Sequence, residues 1–243
     1  MRIYSLLSLL SLAITASSKL VVDYNAEHDD DVSKLGFANL EQARNDKIKS
    51  NTNDLYIKAG EDWRGTKSAH FHRKKGYIRA EMHALKEQTK AGETYYITYS
   101  FALGAIPDSL MVLQWKEYEA NTHGGANIPL SLEVKNKKIS LEYQADGHSK
   151  RVAQWTTDVK PNTVYKVGLE ILARSDNGHV KLYWGGEQVT FSTSKEKMLV
   201  GNMFPGRSDP KIGIYRGEEV ETNSYVYQFQ IGTEREDVDG SYF

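Results

Sequence analysis

Residues 211–217 read KIGIYRG, and the strand period of two sets Lys211, Gly213 and Tyr215 on one side and Ile212 and Ile214 on the other. A cation, a gap and a phenol on one face of a sheet make a place where an anion can be held beside a group able to give or take a proton. Two further segments offer sets of the same kind. In LMVLQWKEYE, Gln114 and Lys116 share a face opposite Leu113 and Trp115. In SAHFHRKKGYIRAEMHA, His70 shares a face with His72 and, past the Lys74-Lys75-Gly76 turn, Arg79 shares one with Glu81 and His83. Singly, each set has a plainer meaning. Arg79 with Glu81 fits a surface ion pair of little energetic weight, two histidines without a third ligand fit polar surface at least as well as a metal chelate, and Tyr215 fits a core tyrosine with its hydroxyl satisfied. Their recurrence in three segments points to one shared polar face.

The elements that must position these residues are strands. LSLEVKNKKISLEYQADG alternates Leu130, Leu132, Val134 and Ile139, Leu141, Tyr143 inward against Ser131, Glu133, Lys135 and Ser140, Glu142, Gln144 outward, with Asn136 and Lys137 in the turn. HVKLYWGGEQVTF repeats the device around Gly185-Gly186, and YYITYSFAL, TVYKVGLEILAR and YVYQFQIG add three more strands. Residues 35–50 (LGFANLEQARNDKIKS) are expected to form one short helix. No repeat, linker or composition break divides the chain, so an all-β sandwich of two stacked sheets, a jelly roll, is the economical architecture. An outer sheet face that forms an open groove suits an extended polymer better than a small molecule.

The chain has 243 residues, 40% hydrophobic and 26% charged, which suits one domain with a sizeable core. Residues 1–18 carry Arg2, an apolar run from Leu6 to Ile14 and the small residues Ala16, Ser17 and Ser18, the pattern of a signal peptide. The expectation is a secreted, extracellular protein whose residues 19–243 form a single domain. The absence of cysteine excludes disulfides and thiolate chemistry, so the core alone must hold the fold. A formal net charge of −1 provides no global field for nucleic acid, so an anionic ligand must be met by a local basic patch. No nucleic-acid or membrane partner is expected.

The order Arg79-Ala-Glu81, Gln114-Trp-Lys116, Lys211-Ile-Gly-Ile-Tyr215-Arg216 resembles the three short motifs of the alginate lyases of polysaccharide lyase family 7: Arg-x-Glu-Leu-Arg, Gln-Ile-His and Tyr-Phe-Lys-x-Gly-x-Tyr. Lys116 stands where that family has histidine, and His83 where it has its second arginine. The Gln-Trp-Lys and Lys-Ile-Gly-Ile-Tyr-Arg forms, the chain size and the leader look closer to the glucuronan lyases of family 20. The resemblance spans roughly residues 60–235 and its motifs are short.

It implies a β-jelly roll, a concanavalin A-like sandwich of two antiparallel sheets with an open groove. It implies β-elimination in a β-1,4-linked polyuronate, glucuronan first, with an alginate lyase as the alternative. Such an enzyme neutralises the carboxylate at carbon 6, removes the proton at carbon 5 and protonates the leaving oxygen at carbon 4. Gln114 and Arg79, with His72 or His70, are the neutralising candidates, since donors aimed at developing enolate charge contribute most to such catalysis. Tyr215 is the candidate base and acid. In glucuronate the carbon-5 proton and the carbon-4 oxygen lie on the same side of the ring, so one residue can serve both steps; guluronate needs groups on both sides, the second of which could come from His70 or His72. Lys116, Lys211, Glu81, His83, Gly213 and Arg64 are expected along the substrate, with Gly213 leaving room for a sugar ring. Lys67, Arg73 and Lys74 add basic residues near the mouth, while Arg216, of opposite parity, is expected to brace a loop or the other face. The resemblance implies no cofactor for catalysis, an anionic polysaccharide as substrate and a monomer.

Two other classes compete. A glycoside hydrolase of the laminarinase type requires Glu-x-Asp-x-Glu on one strand, and no strand here carries it. A non-catalytic carbohydrate-binding jelly-roll module would use Trp63, Trp115, Trp155 and Trp184 as a flat aromatic strip. Asp237 and Asp239, or Asp29–Asp31, offer hard oxygens for a structural calcium.

Overall fold

The computed structural model describes residues 20–41, 47–118, 122, 127–217 and 220–243; the leader expected over residues 1–18 lies outside them. In chain order the strands are β1 (Leu20–Asn25), β2 (Phe37–Glu41), β3 (Lys47–Ile48), β4 (Leu55–Glu61), β5 (Lys67–Arg73) and β6 (Arg79–His83). There follow β7 (Thr94–Leu103), β8 (Leu110–Lys116), β9 (Leu130–Lys135), β10 (Lys138–Tyr143), β11 (Val152–Asp158) and β12 (Val164–Leu172). The last are β13 (Gly178–Trp184), β14 (Glu187–Gln188), β15 (Leu199–Gly201), β16 (Asp209–Tyr215) and β17 (Thr222–Gly232).

They form two antiparallel sheets, the jelly-roll sandwich expected from the alternation. The front sheet runs β11-β10-β9-β8-β16-β6-β2-β3. The back sheet runs β14-β13-β12-β7-β17-β5-β4, with β1 added on β17 and β15 on β13. Between them lies one apolar core to which both sheets contribute, including Phe71, Phe101 and Phe229 from the back and Leu113, Leu132 and Ile212 from the front.

The hairpin read from LSLEVKNKKISLEY pairs in the register its alternation requires, with Ile139 opposite Val134 and Leu141 opposite Leu132. Asn136 and Lys137 both take positive φ (52° and 60°), the backbone of a tight two-residue turn matched to strand twist. The Gly185-Gly186 turn likewise joins β13 to β14.

The short helix expected over residues 35–50 is not found among the described residues of that span. Phe37–Glu41 is strand β2, paired with β6 so that Asn39 faces Glu81 and Glu41 faces Arg79, and Lys47–Ile48 is strand β3; residues 42–46 lie outside the described set. Ladder hydrogen bonds to β6 outweigh a local helical pattern too short to nucleate by itself.

Candidate active site

Three strands build the site. In the front sheet β16 lies between β6 and β8, so the three sequence segments of interest are neighbours. Lys211 faces His83 on one side and Gln114 on the other; Gly213 faces Glu81; Tyr215 faces Arg79 and Met111; Asp209 faces Lys116. The alternate residues Ala80, Met82, Leu113, Trp115, Ile212 and Ile214 are buried in the core. Their burial fixes which face each polar side chain takes, because a one-residue slip would bury the whole polar set. That set lines an open groove of about 770 Å³, to which Arg79, His83, Lys116, Tyr118, Arg207, Lys211 and Tyr215 contribute.

At the centre Arg79 binds two carboxylates, Nη2 to Glu41 Oε1 at 3.0 Å and Nε to Glu81 Oε2 at 3.4 Å. The guanidinium lies over the Tyr215 ring, 4.1 Å from its centroid. Burial pushes the Glu81 carboxyl above its ordinary range, against the pull of Lys211 and Arg79. Glu81 Oε1 accepts a hydrogen bond from Gln114 Nε2. Because an amide nitrogen carries two hydrogens, Gln114 retains a second donor. The pair expected to be a weak surface contact, Arg79 with Glu81, is thus a nearly buried network.

Lys211 and Lys116 are two of the cations that line the groove. Lys211 is 3% exposed, and Lys116 is half-buried beside it with its ammonium over the Tyr118 ring at 4.0 Å. Neither forms an ion pair among the described residues. Burial lowers both from the ordinary lysine value; in Lys116, where the charge of Lys211 adds to it, the result is about 8. An ammonium held in a partly dry groove without a direct ion pair is a costly arrangement that an incoming anion relieves.

At the Lys116 end, His83 Nε2 is 3.1 Å from Asp209 Oδ2, and Tyr118 stacks on the imidazole with centroids 5.6 Å apart. Burial lowers the His83 pKa. Burial acts to raise Asp209, but hydrogen bonds from His83 and Arg207 outweigh it and hold this carboxyl below its ordinary range. Arg207 reaches Asp209 through Nε and Nη2 (3.0 and 2.8 Å) and lies 4.2 Å from the Tyr118 ring centroid. Asp209 was open to sequence reading, being two residues before Lys211 on the same face. Tyr118 and Arg207 lie just beyond strand ends, where parity gives no information, and Glu41 lay in the segment read as helix.

Four expectations are corrected. His70 and His72 are not in the groove: they lie on β5 of the back sheet and alternate with fully buried Ala69 and Phe71, so they stand on that sheet's outer face. Arg64, in the turn between β4 and β5, binds Asp62 at 2.7 Å beside Trp63 and Tyr227 of the same sheet, away from the groove. Arg73 is fully buried and donates from Nη1 to the carbonyls of Ile78 (3.0 Å) and Arg216 (2.7 Å), while Lys67 and Lys74 pair with Asp29 and Asp54. Arg216 takes φ 58°, which turns its side chain back to the groove with its guanidinium 5.2 Å from the Tyr215 ring.

Gly213 also differs from expectation. Its φ is +128°, and a Cβ there would lie 2.4 Å from the Ala80 carbonyl oxygen and 2.8 Å from Phe71 Cδ1. A side chain would therefore strike the core and the neighbouring strand rather than the space for a sugar. The glycine permits the irregular register between Ile212 and Tyr215 on β8, which seats Tyr215 opposite Met111.

The tryptophans make no strip. Trp115 is fully buried with Nε1 donating to the Met203 carbonyl, Trp155 and Trp184 pack on each other at 5.1 Å, and Trp63 is exposed on the back sheet. The aspartates considered for calcium serve the backbone: Asp237 Oδ2 accepts from the amides of Thr233 and Glu234, Asp239 Oδ1 from that of Ser241, and Asp31 Oδ1 from that of Ser33. Asp29 and Asp30 pair with Lys67 and Lys34.

No family model and no curated protein matches the sequence. Solved structures do resemble it. The endo-β-1,4-glucuronan lyase from the fungus Trichoderma reesei is 17% identical, over 84% of this chain and 98% of that one, with a TM-score of 0.59. The family 7 alginate lyase A1-II′ is 13% identical over 82% of this chain and 96% of that one, at 0.52. The T. cruzi calreticulin globular domain is 8% identical over 92% and 94%, at 0.53. At such identities the likeness establishes the fold, which is the jelly roll the sequence resemblance implied.

Proposed function

We propose that the protein is a polysaccharide lyase that cleaves a β-1,4-linked polyuronate, with glucuronan as its polymer, by β-elimination. The observation that carries this reading is the register of β16 between β6 and β8, which gathers Lys211, Lys116 and Tyr215 along one groove, with Gln114 opposite Lys211 on the neighbouring strand. The likeness of fold to a glucuronan lyase and an alginate lyase supports it.

In this reading the carbon-6 carboxylate of the bound uronate lies against Lys211 and Lys116, neither of which forms an ion pair among the described residues, and takes the remaining Gln114 N–H. These donors stabilise the charge that builds on the carboxylate as carbon 5 loses its proton. Arg79, already engaged by Glu41 and Glu81, holds the Tyr215 ring in place. Tyr215, acting through its phenolate oxygen, removes the carbon-5 proton and becomes the neutral phenol; the carbon-4 to oxygen bond then breaks to leave a carbon-4 to carbon-5 double bond, and the phenol gives that proton to the departing oxygen, which restores the phenolate. One residue serves both steps because glucuronate presents the proton and the leaving oxygen on the same side.

The test is to incubate the protein separately with glucuronan, alginate and hyaluronan and to follow the ultraviolet absorbance of the unsaturated uronate. The rise is expected to be fastest with glucuronan. No rise with any of the three polymers removes the lyase reading.

A further inference from the structure

The two histidines that the groove does not use remain to be explained. On the outer face of the back sheet, His70 Nε2 and His72 Nδ1 each lie 2.8 Å from a single atom, Oδ1 of Asn223. The sequence leaves this pair without a third ligand; the fold brings one from 151 and 153 residues further along the chain, because β17 pairs with β5 so that Asn223 faces His72. Both rings are held upright by tyrosines: His72 stacks on Tyr56 with centroids 4.8 Å apart, and His70 on Tyr225 at 4.7 Å.

We propose that His70, His72 and Asn223 form a binding site for one divalent late transition-metal ion, copper above zinc, on the face opposite the groove. Two imidazole nitrogens on alternate residues of one strand make a chelate, and neutral imidazole suits copper, nickel and zinc, while affinity rises to copper along the divalent series. The gap to close is small. An ion at the position of the amide oxygen would be 2.8 Å from each nitrogen, against about 2.0–2.1 Å in a zinc–imidazole bond, so each ring must approach by about 0.7 Å while the amide swings aside to offer its oxygen as third ligand. Among the described residues no three histidines or carboxylates converge, so water completes the shell and the site is open. Metal binding requires unprotonated imidazole, so the affinity should fall as the pH is lowered.

The experiment uses the full chain without an affinity tag. Titration calorimetry with Cu²⁺ and with Zn²⁺ at neutral pH is expected to show one site per chain, at least about tenfold tighter for copper, following the divalent order. His70→Gln and His72→Gln are each expected to weaken it at least about tenfold and Asn223→Ala by less, whereas His148→Gln, at an exposed histidine away from the site, leaves it unchanged. Electron paramagnetic resonance of the wild-type protein with one equivalent of copper provides a measure independent of variant folding: coupling to two imidazole nitrogens is expected. Unweakened binding in both histidine variants, coupling to fewer than two imidazoles, or no stoichiometric site overturns the assignment. None of these outcomes depends on polysaccharide cleavage.

Discussion

Arg79 lies over Tyr215, its guanidinium carbon 4.1 Å from the ring centroid, while the same guanidinium binds Glu41 and Glu81. It therefore holds the tyrosine in place and also balances two nearly buried carboxylates. Replacing it with Met keeps the length and removes the charge, leaving Glu41 and Glu81 at 2% exposure without their cation. Breaking a buried pair in this way typically costs about 3–5 kcal/mol. Urea unfolding of Arg79→Met should show a loss of that order, with Arg79→Lys recovering part of it; a loss below about 1 kcal/mol, the size of a surface ion pair, would mean the network does not need its arginine.

Tyr215→Phe removes one oxygen and keeps the ring that packs against Met111 and Ile128. The fold should hold, with a melting temperature near that of the wild type. If the phenolic oxygen serves both proton-transfer steps, turnover of glucuronan should fall by at least about 10²–10⁴-fold, the usual contribution of a positioned acid or base. Wild-type turnover in this variant would remove Tyr215 from the chemistry.

Much of the site was legible because a period of two is a strict rule inside strands. Lys211 with Tyr215, Gln114 with Lys116, and Arg79 with Glu81 and His83 each share the face their spacing requires. Sheet membership was not legible. His70 and His72 obey the same parity on β5, yet nothing in their own segment says that β5 pairs with β4 and β17 while β6, a turn later, crosses to the other sheet. Parity also fails where the backbone leaves the extended region. Positive φ at Gly213 and Arg216 redirects two positions of KIGIYRG, the first toward the core and the second back to the groove.

Gly213 provides a test of that local geometry. If it made room for a sugar, Gly213→Ala would fold normally and lose affinity for substrate. The structure requires the opposite order: a Cβ 2.4 Å from the Ala80 carbonyl and a backbone at φ +128° penalise the fold itself. Strain in such a region costs about 1–3 kcal/mol, to which the contact with Phe71 adds. Gly213→Ala should therefore unfold at lower urea, and Gly213→Leu should yield little folded protein. A stable Gly213→Leu would contradict this placement.

Lys116 makes substrate binding depend on pH in a definite direction. Its ammonium titrates at about 8 in the free protein, so it is charged below that value and neutral above it. A uronate carboxylate favours the charged form, and the polymer carboxylates themselves, titrating near the ordinary value of about 4, stay ionised throughout this range. KM for the polyuronate should accordingly rise as pH increases through about 8. Lys116→Arg keeps its charge over the whole interval, since a guanidinium does not titrate there. It should move the rise in KM to higher pH or remove it, whereas Lys116→Met should show a raised KM already at neutral pH. If the wild-type KM is flat between pH 7 and 9 and matches that of Lys116→Met, an interval of about one unit on each side of the lysine midpoint, then Lys116 does not meet the carboxylate.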